Sequence, residues 1–264
     1  MDNVREFWIV LFNFPLSIML LAIDIGNSLT KFGVFDRDKL LEKFSITTKR
    51  DLQPDELNFD RSKIDTVVIA SVVPNLIDFV RNVIQTTFKV IPTFIDHSAD
   101  FGLKINYDPP ESVGIDRLIN ASAAAKKYGT PVVVCSFGTA TVIDIVSPDS
   151  EFLGGIIAPG VKTMAESLHK KTSALPAVEI EEPEQLIGNT TESAILSGIV
   201  NGHIAMAEGL IQKIISNSKL GIGNSEISVV ATGGFANLIA SKIEAVTEID
   251  ENLTLDGLRQ LSNS

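Results

Sequence analysis

Short apolar runs broken by glycine turns alternate along this chain with stretches of helical spacing. Leu20 to Ile25 is an apolar run carrying a carboxylate, Asp24, near its end; Gly26 and Asn27 supply a turn, and Phe32, Val34 and Phe35 resume the apolar pattern. That sequence predicts a β-hairpin. Leu40 to Thr48 reads as a third strand and Lys49 to Lys63 as a polar connection, while the β-branched run Ile64 to Val73, stopped by Pro74, reads as the interior of a sheet. Leu76, Phe79, Val80, Val83 and Ile84 give Asn75 to Phe88 a helical period. Val90 to Ile95 is a further short strand and Phe101 to Pro110 a loop. Ser112 to Tyr128 is a helix opened by Pro109 and Pro110, capped by Ser112 and stopped at Gly129. Beyond it come a strand and glycine corner from Phe152 to Gly160, a helical run from Val161 to Lys171, and a loop rich in Pro and Glu from Leu175 to Gly188. A long helix follows from Thr191 to Ile215, with small residues at Ala194, Ser197, Gly198, Gly202 and Ala205 that permit close packing.

Val132 to Val146, VVVCSFGTATVIDIV, repeats the first hairpin. Ile23-Asp24-Ile25-Gly26-Asn27 aligns without a gap over Cys135-Ser136-Phe137-Gly138-Thr139, and a third element, Val229 to Phe235, is again a strand running into a glycine turn and then a helix-like segment. Glycine at such a tip lets backbone N–H groups approach a ligand with no Cβ in the way, and a carboxylate emerging beside it can hold a phosphate's metal. A hairpin whose turn merely happens to contain Asp, Gly and Asn is the plainer alternative, and the second copy argues against it. Two hairpin loops and a late Thr-Gly-Gly turn resemble the duplicated actin, hexokinase and Hsp70-type (ribonuclease H-like) nucleotide fold. The expected architecture is therefore α/β, with ATP in the cleft between two similar halves, residues 19–125 and 126–264, joined by the helix Ser112 to Tyr128.

Composition narrows the function. The chain has 264 residues, 45% hydrophobic and 21% charged, enough to bury a full core. Its 22 basic against 33 acidic residues, a formal charge of −11, would repel nucleic acid. A single cysteine, Cys135, excludes an intrachain disulfide and fits a reducing, cytoplasmic setting, and His97, His169 and His203 lack zinc-site spacing. Phe7 to Ile23 is apolar enough to suggest a membrane anchor, but residues 1–6 carry no net positive charge, and Asn13 and Pro15 interrupt the run. Met19 stands immediately before the first strand. Residues 1–18 are accordingly expected to be a dispensable leader, and no membrane association is expected.

Gly114-Ile115-Asp116-Arg117 lies in the first turn of the linking helix, where the dipole favours a carboxylate and an arginine can bind an anionic substrate group. In an isolated helix start, Asp116 complementing the dipole and Arg117 as a solvated charge would suffice. Other motif matches carry nothing: Ser167 to Lys170 fits S-x-x-K without companion motifs, and Asn189-Thr190-Thr191 is a formal sequon. Neither a Walker A loop nor G-x-G-x-x-G is present.

Five segments, Asp24 to Ser28, the YDPPESVGIDR segment from Tyr107 to Arg117, Phe137 to Thr141, Gly154 to Gly160, and Ala231 to Gly234, are similar in kind and order to the motifs of the type III pantothenate kinases. The resemblance runs from Leu20 to about Leu258. It implies ATP-dependent phosphorylation of the primary hydroxyl of pantothenate, the first step towards coenzyme A. It makes Asp116 the general base. Asp24, Ile25, Gly26, Asn27, Ser28, Leu29, Thr30 and Lys31 become the ATP-phosphate loop, with Thr139 a further ATP contact. Tyr107, Gly114, Ile115, Asp116, Arg117 and Thr191 become the pantothenate contacts. It also implies a cytoplasmic homodimer using Mg²⁺ and a monovalent cation, K⁺ or NH₄⁺; the small residues of Thr191 to Ile215 make that helix the expected dimer face. The chain departs from the pattern where the family's second loop carries an acidic residue for that cation: here it is Ser136, and Val142 replaces a second threonine. A hydroxyl can ligate but cannot neutralise as a carboxylate does, and losing one preorganised contact typically costs about 3 to 4 kcal/mol. Activity is therefore expected to be weak, independent of K⁺, or absent. The alternatives are a nucleotide-binding relative that has lost transfer and serves as a regulatory protein, and a kinase of another small acceptor.

Overall fold

The computed structural model describes residues 18–49, 63–217 and 227–262. The expected leader, apart from Ile18, and most of the expected connection from Lys49 to Lys63 lie outside them. The first sheet is built from β1 (Met19–Ile25), β2 (Leu29–Asp36), β3 (Lys39–Thr47), β4 (Ile64–Ser71) and β5 (Thr93–Phe94), in the order β3-β2-β1-β4-β5. β1, β2 and β3 run antiparallel by hairpins, whereas β4 and β5 join in parallel, with α1 (Ile77–Phe88) between them. β1 and β4 are buried over most of their length, which is why both read as continuous apolar runs.

After β6 (Lys104–Ile105) and α2 (Ile115–Tyr128), the plan repeats. β7 (Val132–Phe137), β8 (Ala140–Val146) and β9 (Glu151–Pro159) form antiparallel hairpins. Then α3 (Val161–Lys171) and α4 (Thr191–Ile215) precede β10 (Ser228–Thr232), α5 (Ala236–Ala240) and β11 (Glu248–Ile249). The second sheet has the order β11-β10-β7-β8-β9-β6. Read from its other edge without β6, this is the order of the first sheet, with β7 in the place of β1 and β10 in the place of β4.

α2 lies between the sheets. Its Leu118, Ile119, Ala121, Ala123 and Ala124 share one core with Leu20 and Ala22 of β1, Val68 of β4, Val132 and Val134 of β7, and the leucines of α6 (Leu253–Leu261). The alanines let neighbours approach closely, and so does Gly257 of α6, where a Cβ would lie 2.7 Å from Ile119 Cγ2.

Several sequence expectations are corrected. Val90 to Ile95 keeps only two strand residues, Thr93 and Phe94, and the expected loop from Phe101 to Pro110 contributes β6. Ser112 does not cap the linking helix. Pro110 starts a separate 3₁₀ turn, Val113 is extended, and the helix starts after Gly114, while the Ser112 hydroxyl donates to the Pro109 carbonyl at 2.7 Å. α6 and β11 had not been anticipated.

Candidate active site

The two hairpin tips are shaped by their glycines. In the first, the Gly26 N–H donates to the Leu29 carbonyl at 3.0 Å, and the Thr48 hydroxyl at the end of β3 donates to the Gly26 carbonyl at 2.8 Å. In the second, the Gly138 N–H donates to the Ala140 carbonyl at 3.0 Å. The Thr139 carbonyl accepts from the Gly160 N–H at 3.0 Å and the Thr163 hydroxyl at 2.6 Å, which ties the start of α3 to this tip. A Cβ on Gly160 would collide with the Gly138 carbonyl. Gly233, at φ +101, stacks the third turn on Phe137, whose carbonyl accepts from the Phe235 N–H at 3.0 Å. From below, His203 of α4, fully buried, braces the second hairpin through a 2.7 Å hydrogen bond to Thr141 and an edge contact with Phe137.

The two tips meet. Ser28 Oγ and Thr139 Oγ1 are 2.8 Å apart, so residues predicted to handle the same phosphates stand side by side although they come from different sheets. Behind the first tip, Asp24 pairs in register with Lys31. Burial pushes the Asp24 carboxyl up to about 6; Lys31 opposes the shift and Asp116 adds to it, which places Asp116 of α2 within electrostatic reach. Burial also raises Asp116, against the Arg117 N–H that donates to its Oδ1 at 3.0 Å. Gly114 makes this possible: a Cβ there would lie 2.6 Å from that oxygen.

Arg117, next to Asp116 in the chain, is held in a buried frame. Its Nε donates to both carboxylate oxygens of Asp144 at 3.2 Å, and its Nη2 to Oδ1 at 2.5 Å. Its guanidinium lies over Tyr107 and Phe152, with 5.7 and 5.6 Å to the ring centroids. Burial lifts the Asp144 carboxyl, and Arg117 holds it down. Two glycines of β9 make room: a Cβ on Gly155 would strike Asp144, and one on Gly154, at φ +87, would lie 3.0 Å from the Tyr107 ring.

The structure thus brings Asp24, Gly26, Ser28, Lys31, Thr139, Asp116, Arg117 and Tyr107 into one region. Ile25 and Ile115 have their side chains in the core, so only their backbone faces a ligand. Thr30 is buried against Thr48 at 3.0 Å, whereas Asn27, Ser28 and Leu29 are exposed. Thr191 is exposed in the first turn of α4 and makes no hydrogen bond to the Tyr107–Arg117 group among the described residues. Sequence reasoning gave no role to Asp144, Thr48 or Thr163. The signal for Asp144 was a single carboxylate inside the apolar strand ATVIDIV; the two hydroxyls left none.

Three carboxylates, Asp24, Asp116 and Asp144, face two cations, Lys31 and Arg117, and the excess of negative charge disfavours a bare phosphate chain. The half-buried carboxylates of Asp24 and Asp116 are hard oxygen donors of the kind Mg²⁺ takes beside phosphate oxygens. The monovalent site fits less well. Ser136 lies in β7 between Val142 of β8 and Thr232 of β10, where the Thr232 hydroxyl is buried without a hydrogen-bond partner among the described residues. Two hydroxyls in adjacent register offer oxygen but no charge.

The family model for type III pantothenate kinase matches residues 20–213. A type III pantothenate kinase of Finegoldia magna is 36% identical over 256 residues, covering 93% of this chain and 97% of that protein. One from Myxococcus xanthus is 39% identical over 252 residues, covering 91% and 96%. Among solved structures, a Baf family transcriptional activator from Campylobacter jejuni superposes with a TM-score of 0.59 at 21% identity, over 92% of this chain and 97% of that one. MreB 5 of Spiroplasma citri, bound to AMPPNP, superposes with a TM-score of 0.50 at 11% identity, over 93% and 96%. At such identities the likeness is one of fold, and it is the expected actin-like, duplicated α/β fold. Identity of 36–39% over nearly the whole length, with a family model spanning both hairpins, means that the chain belongs to the type III pantothenate kinase family.

Proposed function

We propose that the protein transfers the γ-phosphoryl group of ATP to the primary hydroxyl of pantothenate, giving 4′-phosphopantothenate, the first step towards coenzyme A. The observation that carries this reading is the meeting of Ser28 and Thr139 above Asp24, with Asp116 in electrostatic reach of that carboxylate. A phosphate loop and an acceptor base then share one site. Backbone N–H groups and hydroxyls of the two tips hold the phosphates, Asp116 accepts the hydroxyl proton, and Tyr107, Arg117 and Thr191 hold the acceptor. Because the transition state of phosphoryl transfer is loose, positioning and charge neutralisation carry most of the rate, and the base takes its proton late. Asp24 is the residue that would hold Mg²⁺, whose chemistry there is to neutralise the phosphate chain, leaving Asp116 free as the base. The comparisons lend no support to a relative that has lost transfer.

Two finer features belong to the same reading. Turnover does not depend on K⁺, because Ser136 supplies no charge where the family resemblance places an acid. The protein works as a cytoplasmic homodimer through α4. On that helix Gly198, Gly202 and Gly209 face open space, and Leu186 and Ile187, 71% and 79% exposed, stand in the adjoining segment. The buried, free Cys135 suits a reducing compartment.

The test is formation of 4′-phosphopantothenate by purified protein with Mg-ATP, with and without K⁺, beside Ser136→Asp. Product is expected from the wild type in both conditions, with K⁺ stimulation appearing only in Ser136→Asp. No product from the wild type at saturating substrates overturns the activity; K⁺-stimulated wild-type turnover overturns the cation reading alone.

A further inference from the structure

We propose that Asp144 is a positioning residue which aims Arg117 at the carboxylate of the acceptor, and so sets the preference for an acidic acceptor over a neutral one. The proposal rests on the activity proposed above. A guanidinium has five N–H donors in a rigid fork. Asp144 engages Nε and Nη2, the Tyr107 hydroxyl is a further hydrogen-bonding neighbour of the guanidinium, and Nη1 is not taken up by Asp144. Tyr107 and Phe152, whose centroids are 6.3 Å apart with rings inclined at 51°, flank the guanidinium and limit its tilt. Asp144 is 3% exposed, so it does not itself meet a substrate, while Arg117 at 8% keeps a small open face.

Sequence and packing serve this frame. Gly154 and Gly155 clear the space of the Tyr107 ring and the Asp144 carboxylate, respectively. Arg117 is also tied to the base next to it in the chain, since its backbone N–H donates to Asp116 Oδ1. The backbone bond holds the base and Asp144 holds the guanidinium, so an acceptor with a hydroxyl at one end and a carboxylate at the other would meet two groups that are each fixed separately. Without Asp144 the fork would be free to turn, and a buried arginine would lack its counter-charge.

The experiment compares wild type, Asp144→Asn and Asp144→Glu with pantothenate and with pantothenol, in which a hydroxymethyl group replaces the carboxylate. The KM for ATP and thermal melts are measured in parallel. Asp144→Glu keeps the charge pair while displacing the fork by one methylene, so it serves if Asp144→Asn does not fold. The expected result is a KM for pantothenate raised roughly 10- to 100-fold, the scale of one hydrogen bond to a charged group. The KM for ATP should hold, and the preference for pantothenate over pantothenol should collapse. Variants that keep the preference, or that lose kcat equally with both acceptors, overturn the proposal and leave Asp144 a purely structural ion-pair partner. A wild type that phosphorylates neither compound overturns the kinase reading and this proposal with it, an outcome distinct from failure of the variants alone.

Discussion

Asp24 carries a cost that its proposed role explains. Its carboxyl titrates near 6 in the folded protein against an ordinary 3.8, so the folded state holds this proton more tightly than the unfolded one. Its destabilising contribution is absent below about pH 4, grows as pH rises through the interval from 4 to 6, and is fully present above it, at roughly 1 to 3 kcal/mol for a group with some access to the cleft. Asp24→Asn should therefore melt several degrees higher than wild type at pH 7.5 and no higher at pH 4. Its turnover should fall about 10²- to 10³-fold. Equal melting at both pH values would show that burial of this carboxyl costs nothing. For Asp116→Asn, a 10²- to 10⁴-fold loss of kcat without a lowered melting temperature is expected, about the contribution of a general base. Asp24 was legible in the sequence because it stands two residues before a glycine at a hairpin tip, whereas Asp116 read only as a carboxylate in a helix's first turn until the family resemblance gave it a role. Asp144 was not legible: alternation in a strand cannot say which polar residue points to solvent and which is buried on an arginine from a distant helix.

At the scale of elements, turns depend on glycine where another backbone passes close. Gly233 combines φ +101 with a Cβ direction blocked by the Phe137 backbone. Gly233→Ala should destabilise the protein by roughly 2 kcal/mol or more, read as a lowered denaturation midpoint, and should weaken ATP binding by shifting the second tip. The glycines of α4 behave differently, since Gly198 and Gly202 have open space within the protomer. If that face is the dimer contact, Gly202→Leu should leave the helix intact but shift sedimentation from dimer to monomer; an unchanged dimer would place the contact elsewhere. α4 has the length and composition of a membrane span, yet α3 packs on it and its His203 is bonded to Thr141, so one side belongs to the core of the second half. Hairpins and long helices were readable from apolar period and turn residues. The start of α2 was misplaced because two prolines and a serine mimic a helix opening, whereas the extended Val113 resets the chain before Gly114. α6 escaped notice for a related reason: Gly257 weakens its helical pattern, and only the packing on Ile119 shows why glycine is there.

At the scale of the molecule, two sheets of the same strand order share one core through α2, and duplication was visible because the hairpins align residue for residue. What the sequence did not show is where the last helix goes. Leu253, Leu255, Leu258 and Leu261 of α6 are buried with Leu20, Ala22 and Phe35 of the first sheet. Denaturation by urea is accordingly expected to be a single transition, and two resolved transitions would mean that the halves have separable cores. The position of α6 also dictates an order of assembly. On the ribosome β1 to β5 emerge well ahead of it, and at about 5 to 20 residues per second the first sheet waits on the order of ten to thirty seconds for the leucines that close it. Nascent chains arrested before Leu253 should therefore expose the first sheet to protease, and chains extended past Leu261 and clear of the exit tunnel should not: the half made first is the half finished last.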